Sequence, residues 1–361
     1  MFLKILMLVN WPVHRVQKFN SAILNPDQVV SGESYWFFKY WPSSVTVDVM
    51  GIQKSGFLYT LEKPSKVHLQ FLKTFNRIKN YDLILSFDSP SAFLFSLLRS
   101  KIGFQKAIPH ILIDVGMPIA VERFLKDIPP NLVCRLLKQA FNPNSVSHII
   151  FHSSCQRPFY RDVLGFSDDA LSFVPFGVET DYFRPKRVKN EGYIYTAGEF
   201  RDFNTLIDVY ERWHKELPEL RLRTALPPPN YLPPKVHWLP RASIATFVEE
   251  ALKSKFVVVP LHNTIRSVGL MTCLQSMALG KAVLTSNVPP ITDYVINGKT
   301  ALYYDPYDVE DLYKKIITLL KDAELLQTLA RTAREEVVAN FTIEKMGINL
   351  WECISGLLKR L

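Results

Sequence analysis

The sequence predicts an α/β protein built from two successive, doubly wound units, each with a parallel sheet. Three observations predict it. Short apolar runs suited to buried strands alternate with amphipathic, helix-like segments. The alternation breaks once, at a stretch rich in proline, glycine and charge, and then restarts. The chain has 361 residues, whereas single cores stop growing near about 250–300 residues.

Phe2–Val9 reads as a first buried strand, because its apolar run is too short for the core of a signal peptide. Ser34–Tyr40, dense in aromatics, suits a helix, and Val45–Met50 a strand. Tyr81–Phe87 is a continuous apolar run of the kind buried on both faces of a parallel sheet. Ser89-Pro90 opens a helix through Ser91–Leu98, with proline at a favoured first-turn position. His110–Asp114 and His148–His152 are two further strands. Phe173–Lys189 breaks the rhythm and reads as the connection between units. The pattern then resumes with strands at Tyr193–Thr196, Arg221–Ala225, Lys235–Leu239, Phe256–Leu261 and Ala282–Thr285. Helices are expected at Asn204–Trp213, Ser243–Lys253, Leu270–Leu279 and Asp308–Leu320.

Composition narrows the class. Hydrophobic residues make up 48% and charged residues 21%, the profile of a chain with a real core. The cysteines (Cys134, Cys155, Cys273, Cys353) are too scattered for a metal or redox motif, so no metal site and a reducing, cytoplasmic setting are expected. No apolar run approaches the roughly 18 residues of a membrane span. Residues 1–150 hold 17 Lys and Arg against 9 Asp and Glu, and the remainder 26 against 25. The basic excess thus lies in the first half, where it is either a solvated surface or an attraction to an anionic membrane or polyanionic acceptor. Neither half carries GxGxxG or GxxxxGK[S/T], which argues against dinucleotide dehydrogenases and P-loop enzymes. No nucleic-acid reader motif is present, and no nucleic-acid partner is expected.

Open α/β sheets hold ligands outside the C-terminal ends of their strands, and two such units predict a ligand cleft between facing sheets. The helix over Gly269–Gly280 starts and stops sharply at glycines. Gly269 allows close backbone approach, and the free amides of Leu270, Met271 and Thr272 with the positive dipole end make a phosphate site. A plain strand–helix turn accounts for the same residues. After Tyr193–Thr196 comes Gly198, and then Arg201, whose guanidinium fork suits bidentate phosphate contact. A surface pair of Arg201 with Asp202 or Glu199 is the alternative. Asp114 ends a buried strand beside a glycine turn, as a functional carboxylate or as a turn cap. His14, Gly32 and Glu33 follow the first strand and are candidates to line an acceptor.

Several segments in order resemble the family-4 (group 1) glycosyltransferases of GT-B fold. Gln275-Ser276-Met277-Ala278-Leu279-Gly280-Lys281-Ala282-Val283 resembles the family's helix ending Glu-Ala-Met-Ala-x-Gly-x-Pro-Val. Asp305-Pro306 and the helix led by Asp308 resemble its last element. Val174-Pro175-Phe176-Gly177-Val178 resembles its hinge, and Phe341-Thr342 the start of its returning helix. The resemblance is close over residues 173–361 and architectural over 1–172.

It implies a GT-B fold of two Rossmann-like domains with parallel sheets facing across a cleft. An acceptor-side domain is expected over 1–180, a nucleotide-sugar donor domain over 181–340, and a helix crossing back over 341–361. The implied activity is glycosyl transfer from a UDP- or GDP-linked sugar to a glycan or lipid-linked acceptor. It would be retaining, metal-independent and without a cofactor beyond the donor, with peripheral membrane contact through the basic first half. Gly198, Arg201, Arg241, Ser267, Gly269, Leu270, Met271, Thr272 and Gln275 are the implied donor-binding residues, and Asp114 and Arg201 the catalytic ones. The family's two signature glutamates are replaced by Ser267 and Gln275. A catalytically inactive relative that binds or scaffolds is therefore the main alternative, ahead of a sugar-nucleotide epimerase.

Overall fold

The computed structural model describes residues 2–15, 28–29, 36–52, 71–72, 75–117 and 129–360. The chain divides into two compact units. The first is Met1–Pro175 with Glu344–Leu361, and the second is Phe176–Ile343.

Unit 1 is built on a six-stranded sheet of β1 (Leu3–Pro12), β2 (Val45–Ile52), β3 (Leu83–Phe87), β4 (His110–Asp114), β5 (His148–Phe151) and β6 (Leu171–Phe173). The strands are parallel and lie in the order β2-β1-β3-β4-β5-β6. All residues of β3, β4 and β5 are buried, which is why they read as unbroken apolar runs. Helices α1 (Ser89–Ile102) and α2 (Pro130–Ala140) follow β3 and β4. The start of α1 is capped by Asp88, whose carboxylate accepts from the Ser89 amide at 3.0 Å. Near its end Arg99 is buried. Its Nε donates to the Ser145 carbonyl at 2.9 Å and its Nη1 to the Gln105 carbonyl at 2.7 Å, which pins the turn leading into β4.

Unit 2 repeats the plan with β7 (Ile194–Ala197), β8 (Leu220–Thr224), β9 (Val236–Pro240), β10 (Phe256–Val259), β11 (Val283–Ser286) and β12 (Leu302–Tyr304). Its helices are α3 (Phe203–Trp213), α4 (Ile244–Lys253), α5 (Leu270–Ala278), α6 (Val309–Lys321) and α7 (Ala323–Asn340). The strand order is β9-β8-β7-β10-β11-β12, again all parallel. The expected α/β class with two parallel Rossmann-like sheets is therefore what the chain adopts.

Two details differ from the sequence reading. Within Ser34–Tyr40 the described residues form only a 3-10 turn, Trp36–Tyr40. Pro42 stops it, because the residue before a proline is turned away from the helical conformation; Phe37, Phe38 and Trp41 pack together at centroid distances of 4.4–5.6 Å. The strand β6 is the other: only its last residue, Phe173, falls within the expected connection, and Leu171 and Ser172 carry no sequence assignment.

The last helix, α8 (Ile343–Leu358), runs from the boundary onto unit 1. Trp41 Nε1 donates to the Gly347 carbonyl at 2.9 Å, and the Trp41 and Trp351 rings lie 5.5 Å apart. A Cβ at Gly347 would stand 2.7 Å from the Phe37 carbonyl oxygen. Gly347→Ala gains about 1 kcal/mol of helix propensity, but the backbone clash costs about 1–3 kcal/mol or more. We expect a net loss of stability, read as a lowered melting temperature. A raised one would show that the α8 contact yields freely.

Candidate functional site

In unit 2 the strand order reverses between β7 and β10, so the crevice for a ligand lies outside the C-terminal ends of those two strands. The loop after β7 is Gly198–Asp202, and the loop after β10 runs from Pro260 to Gly269. They are tied together: Arg201 and Leu261 form an antiparallel bridge, and the Asp202 amide donates to the Pro260 carbonyl at 3.0 Å.

Gly198 has φ +118°, a region closed to side chains, and a Cβ there would lie 2.6 Å from Arg201 Nη2. The bare backbone makes room for a guanidinium. Arg201 is only 7% exposed. Its Nη1 donates to the Glu199 carbonyl at 2.8 Å and its Nη2 to Thr272 Oγ1 at 3.0 Å. Its Nε–H has no hydrogen-bond partner among the described residues. Burial draws its pKa down to about 10, so it stays charged at neutral pH.

No carboxylate among the described residues forms an ion pair with it, although the Glu199 charge acts on it at longer range. Glu199 turns its side chain to Arg241, 3.3 Å away. Asp202 caps α3 instead, accepting from the Thr205 amide at 3.3 Å and from Thr205 Oγ1 at 2.5 Å. The surface pairing weighed from the sequence is therefore not formed, because both acids have other partners.

Thr272, which holds Arg201, stands in the first turn of α5. That helix opens at Gly269 (φ +80°) without a side-chain cap, which leaves its first amides without an intrahelical or capping acceptor. A Cβ at Gly269 would meet Leu261 Cδ2 at 2.5 Å. A buried cation without an ion-paired carboxylate and an open helix N-terminus thus converge on one spot, and together they can hold a dianion such as a diphosphate.

The other expected donor residues are placed around this point. Leu270 is buried in the core, so only its backbone is available. Met271 is exposed, and Gln275 lies half-buried one turn further along the same face. Ser267 is half-buried in the loop after β10, next to Arg266, whose guanidinium lies 4.8 Å over the Phe200 ring. Arg241 is exposed beyond β9, held by Glu199.

On unit 1, His14 is exposed in a two-residue strand that pairs with Gln28–Val29. Asp114 is fully buried; its Oδ2 accepts from Tyr160 Oη at 2.6 Å and from the Met117 amide at 2.8 Å. A carboxylate so enclosed orders the turn after β4, the capping role weighed from the sequence. Burial first, and the Asp114 charge second, push the Tyr160 hydroxyl well above its usual range. Gly32 and Glu33 lie outside the described residues.

Sequence reasoning missed two residues. Asp88 sits where the unit 1 order reverses, between β1 and β3, with φ +68° and its Oδ2 accepting from Asn10 Nδ2 at 2.7 Å. Its place directly after the run Tyr81–Phe87 was the available signal. Tyr307, with φ +68°, accepts a hydrogen bond from the Asn263 amide at 2.9 Å and so steadies the loop after β10. A bulky residue in that region is strained, and nothing local in Asp305-Pro306-Tyr307-Asp308 announces it. Among the described residues no group of three or more His, Cys, Asp or Glu could hold a metal ion, and no helix is long and apolar enough to cross a membrane.

Residues 231–336 match the family model "Glycosyl transferases group 1". That segment includes β9 to β12 and most of the site just described. The GT-B fold extends over the whole chain. Sucrose-phosphate synthase from Thermosynechococcus elongatus superposes with a TM-score of 0.73 at 16% identity, covering 99% of this chain and 100% of that one. A glycosyltransferase from Rickettsia africae gives 0.67 at 14% identity, covering 99% of each chain. HepE from Anabaena, in complex with UDP-glucose, gives 0.67 at 14% identity, with 98% and 100% covered. No curated protein sequence matches. In the group 1 segment the glycine-opened helix is α5, and the cation beside it, Arg201, comes from outside the matched residues.

Proposed function

We propose that this protein is a nucleotide-sugar-dependent glycosyltransferase whose donor diphosphate is held by unit 2. One observation carries the reading: the buried Arg201 guanidinium, without an ion-paired carboxylate or an acceptor for its Nε–H among the described residues, lies at the open end of α5. A buried charge is costly unless something pairs with it. Here the missing partner is an anion, and HepE, of the same fold, was solved with UDP-glucose.

Glycosyl transfer breaks the bond between the anomeric carbon and a diphosphate oxygen, on which negative charge grows. Arg201 and the amides of Leu270–Thr272 are fixed in place before that charge develops, which is where electrostatic catalysis is most effective. The charge is met by the chain's own groups, and the proposed transfer requires no metal. Retention at the anomeric carbon is proposed on the family resemblance. The backbone at Leu239–Arg241, at the end of β9, is assigned to the base, Met271 and Gln275 to the outer face of the donor, and unit 1 to the acceptor hydroxyl of a glycan or lipid-linked sugar.

A thermal-shift screen against UDP, GDP, ADP and TDP tests the reading. A nucleotide at 100 times its Kd stabilises the native state by about 2.7 kcal/mol, a rise of several degrees. No shift with any of the four would remove the donor site.

Ser267 and Gln275, neutral where the family carries glutamates, favour a second reading: a relative that binds the nucleotide without transferring the sugar. Donor hydrolysis or transfer in a single-turnover assay excludes that reading, and binding without turnover establishes it.

A further inference from the structure

The edge of the unit 1 sheet formed by the N-terminal ends of its strands lies opposite the edge where an open α/β sheet takes its ligands. Three segments lie along the middle of that edge: 75–80, before β3; 99–108, leading from the end of α1 into β4; and 138–147, the last turn of α2 and the turn into β5. They carry Arg77, Lys79, Arg99, Lys101, Lys106 and Lys138 and no acidic residue; the acids of the same edge include Asp82, which accepts from the Lys4 amide, and Asp168 and Asp169 before β6. Arg99 is spent on holding the turn. Arg77, Lys79, Lys101 and Lys106 are exposed.

Large apolar side chains stand out among these cations. Ile102 is 72% exposed, Phe75 46% and Leu72 41%. They are held rigidly, since Phe75 stacks on Phe104 at 4.8 Å and Phe104 in turn abuts Phe95 at 6.2 Å. Phe2, 84% exposed, precedes β1 at the same end of the sheet. Lys101 and Lys138 also favour the negative ends of their helices, but that accounts neither for the outward apolar residues nor for Arg77, Lys79 and Lys106 around them.

We propose that this edge is a docking surface for an anionic phospholipid bilayer. The cations meet the headgroups, and Ile102, Phe75 and Leu72 enter the boundary with the acyl chains. Exposed aliphatic and aromatic residues between lysines match a surface that is charged outside and apolar within; a soluble polyanion offers no apolar layer. The proposal stands independently of the donor reading, because vesicle binding and nucleotide binding are measured separately.

The test is co-sedimentation of the full chain with vesicles of phosphatidylcholine alone or with phosphatidylglycerol, at low and high salt. Partition onto the anionic vesicles only, lost at high salt, is expected. Each cation near the surface contributes about fivefold, so Lys101→Gln with Lys106→Gln should lower partition by about tenfold or more. Ile102→Ser should lower it while keeping the salt dependence, and Lys186→Gln with Lys189→Gln should match the unaltered chain. All these positions are exposed, and an unchanged melting profile in each variant will show that the fold is intact. No partition onto anionic vesicles at low salt overturns the proposal. So does binding to soluble heparin as strong as to vesicles and indifferent to Ile102→Ser, which would assign the edge to a polyanion.

Discussion

Arg201→Met is expected to lower affinity for a nucleoside diphosphate by about 10²–10³-fold, and to leave the unliganded protein as stable as before or more so. The two effects have one cause. With ligand bound, Arg201 makes charge-assisted hydrogen bonds to phosphate from a nearly water-free position. Truncating one side of such a contact costs about 2–5 kcal/mol. Without ligand, the same guanidinium is 7% exposed and has neither an ion-paired carboxylate nor an acceptor for its Nε–H among the described residues. Replacing buried charge by an apolar side chain of similar volume is commonly neutral or stabilising by about 1–4 kcal/mol. The losses at Thr272 Oγ1 and the Glu199 carbonyl are small, because each is a single hydrogen bond of about 1 kcal/mol net. Arg201→Lys keeps the charge but not the two-pronged geometry, and should fall between. Titration calorimetry with the nucleotide selected by the thermal screen measures the affinity, and a melt without ligand measures stability. Affinity untouched by Arg201→Met would take the residue out of the site. A large drop in apo stability would mean that the buried cation is structural.

Mild acid is expected to unfold unit 1 before unit 2. Among the described residues the buried histidines all belong to unit 1: His110 at the start of β4, His148 at the start of β5 and His152 just after it. Burial is the leading cause in each case, and it lowers His110 to about 3 and His148 and His152 to about 4. At His110 the Arg99 charge adds to the effect. The rings bond to Ser86, Ser172 and the Val174 carbonyl, the last of which offsets part of the effect of burial at His152. Unfolded histidine titrates near 6.5. Below that pH the unfolded chain takes up protons that the folded chain refuses, so stability is fully present above about 6.5 and is lost as pH falls toward the folded values. Three such groups give a slope approaching about 4 kcal/mol per pH unit, and a loss on the order of 4 kcal/mol by about pH 5.5. That is a large share of the roughly 5–15 kcal/mol that holds a domain folded. Calorimetry from neutral pH to about 5.5 should show one transition falling by about 10 °C and the other nearly still. Hydrogen exchange should place the early loss in β4 and β5. Transitions that move together, or not at all, would contradict it.

The α/β class and the element order were legible because parallel strands are buried on both faces. Tyr81–Phe87, His110–Asp114 and Phe256–Leu261 are short, mostly apolar runs of the length of such strands, and the segments between them carried helical periodicity. The glycine opening of α5 was legible too, since a left-handed residue and an uncapped first turn are local properties of Gly269 and its neighbours. Arg201 was recognisable as a cation placed after a strand.

Its surroundings were not, because they depend on residues far along the chain. Thr272 is 71 positions away, and it is Arg241, beyond the end of β9, that draws off Glu199; only the Asp202 cap on Thr205 is local. The same holds for Asp114, which Tyr160, 46 residues later, encloses. Local pattern decides whether a residue lies in a strand or a helix and what chemistry its side chain offers. Whether that side chain meets a partner, water or a ligand is decided only when the sheet order brings distant loops together.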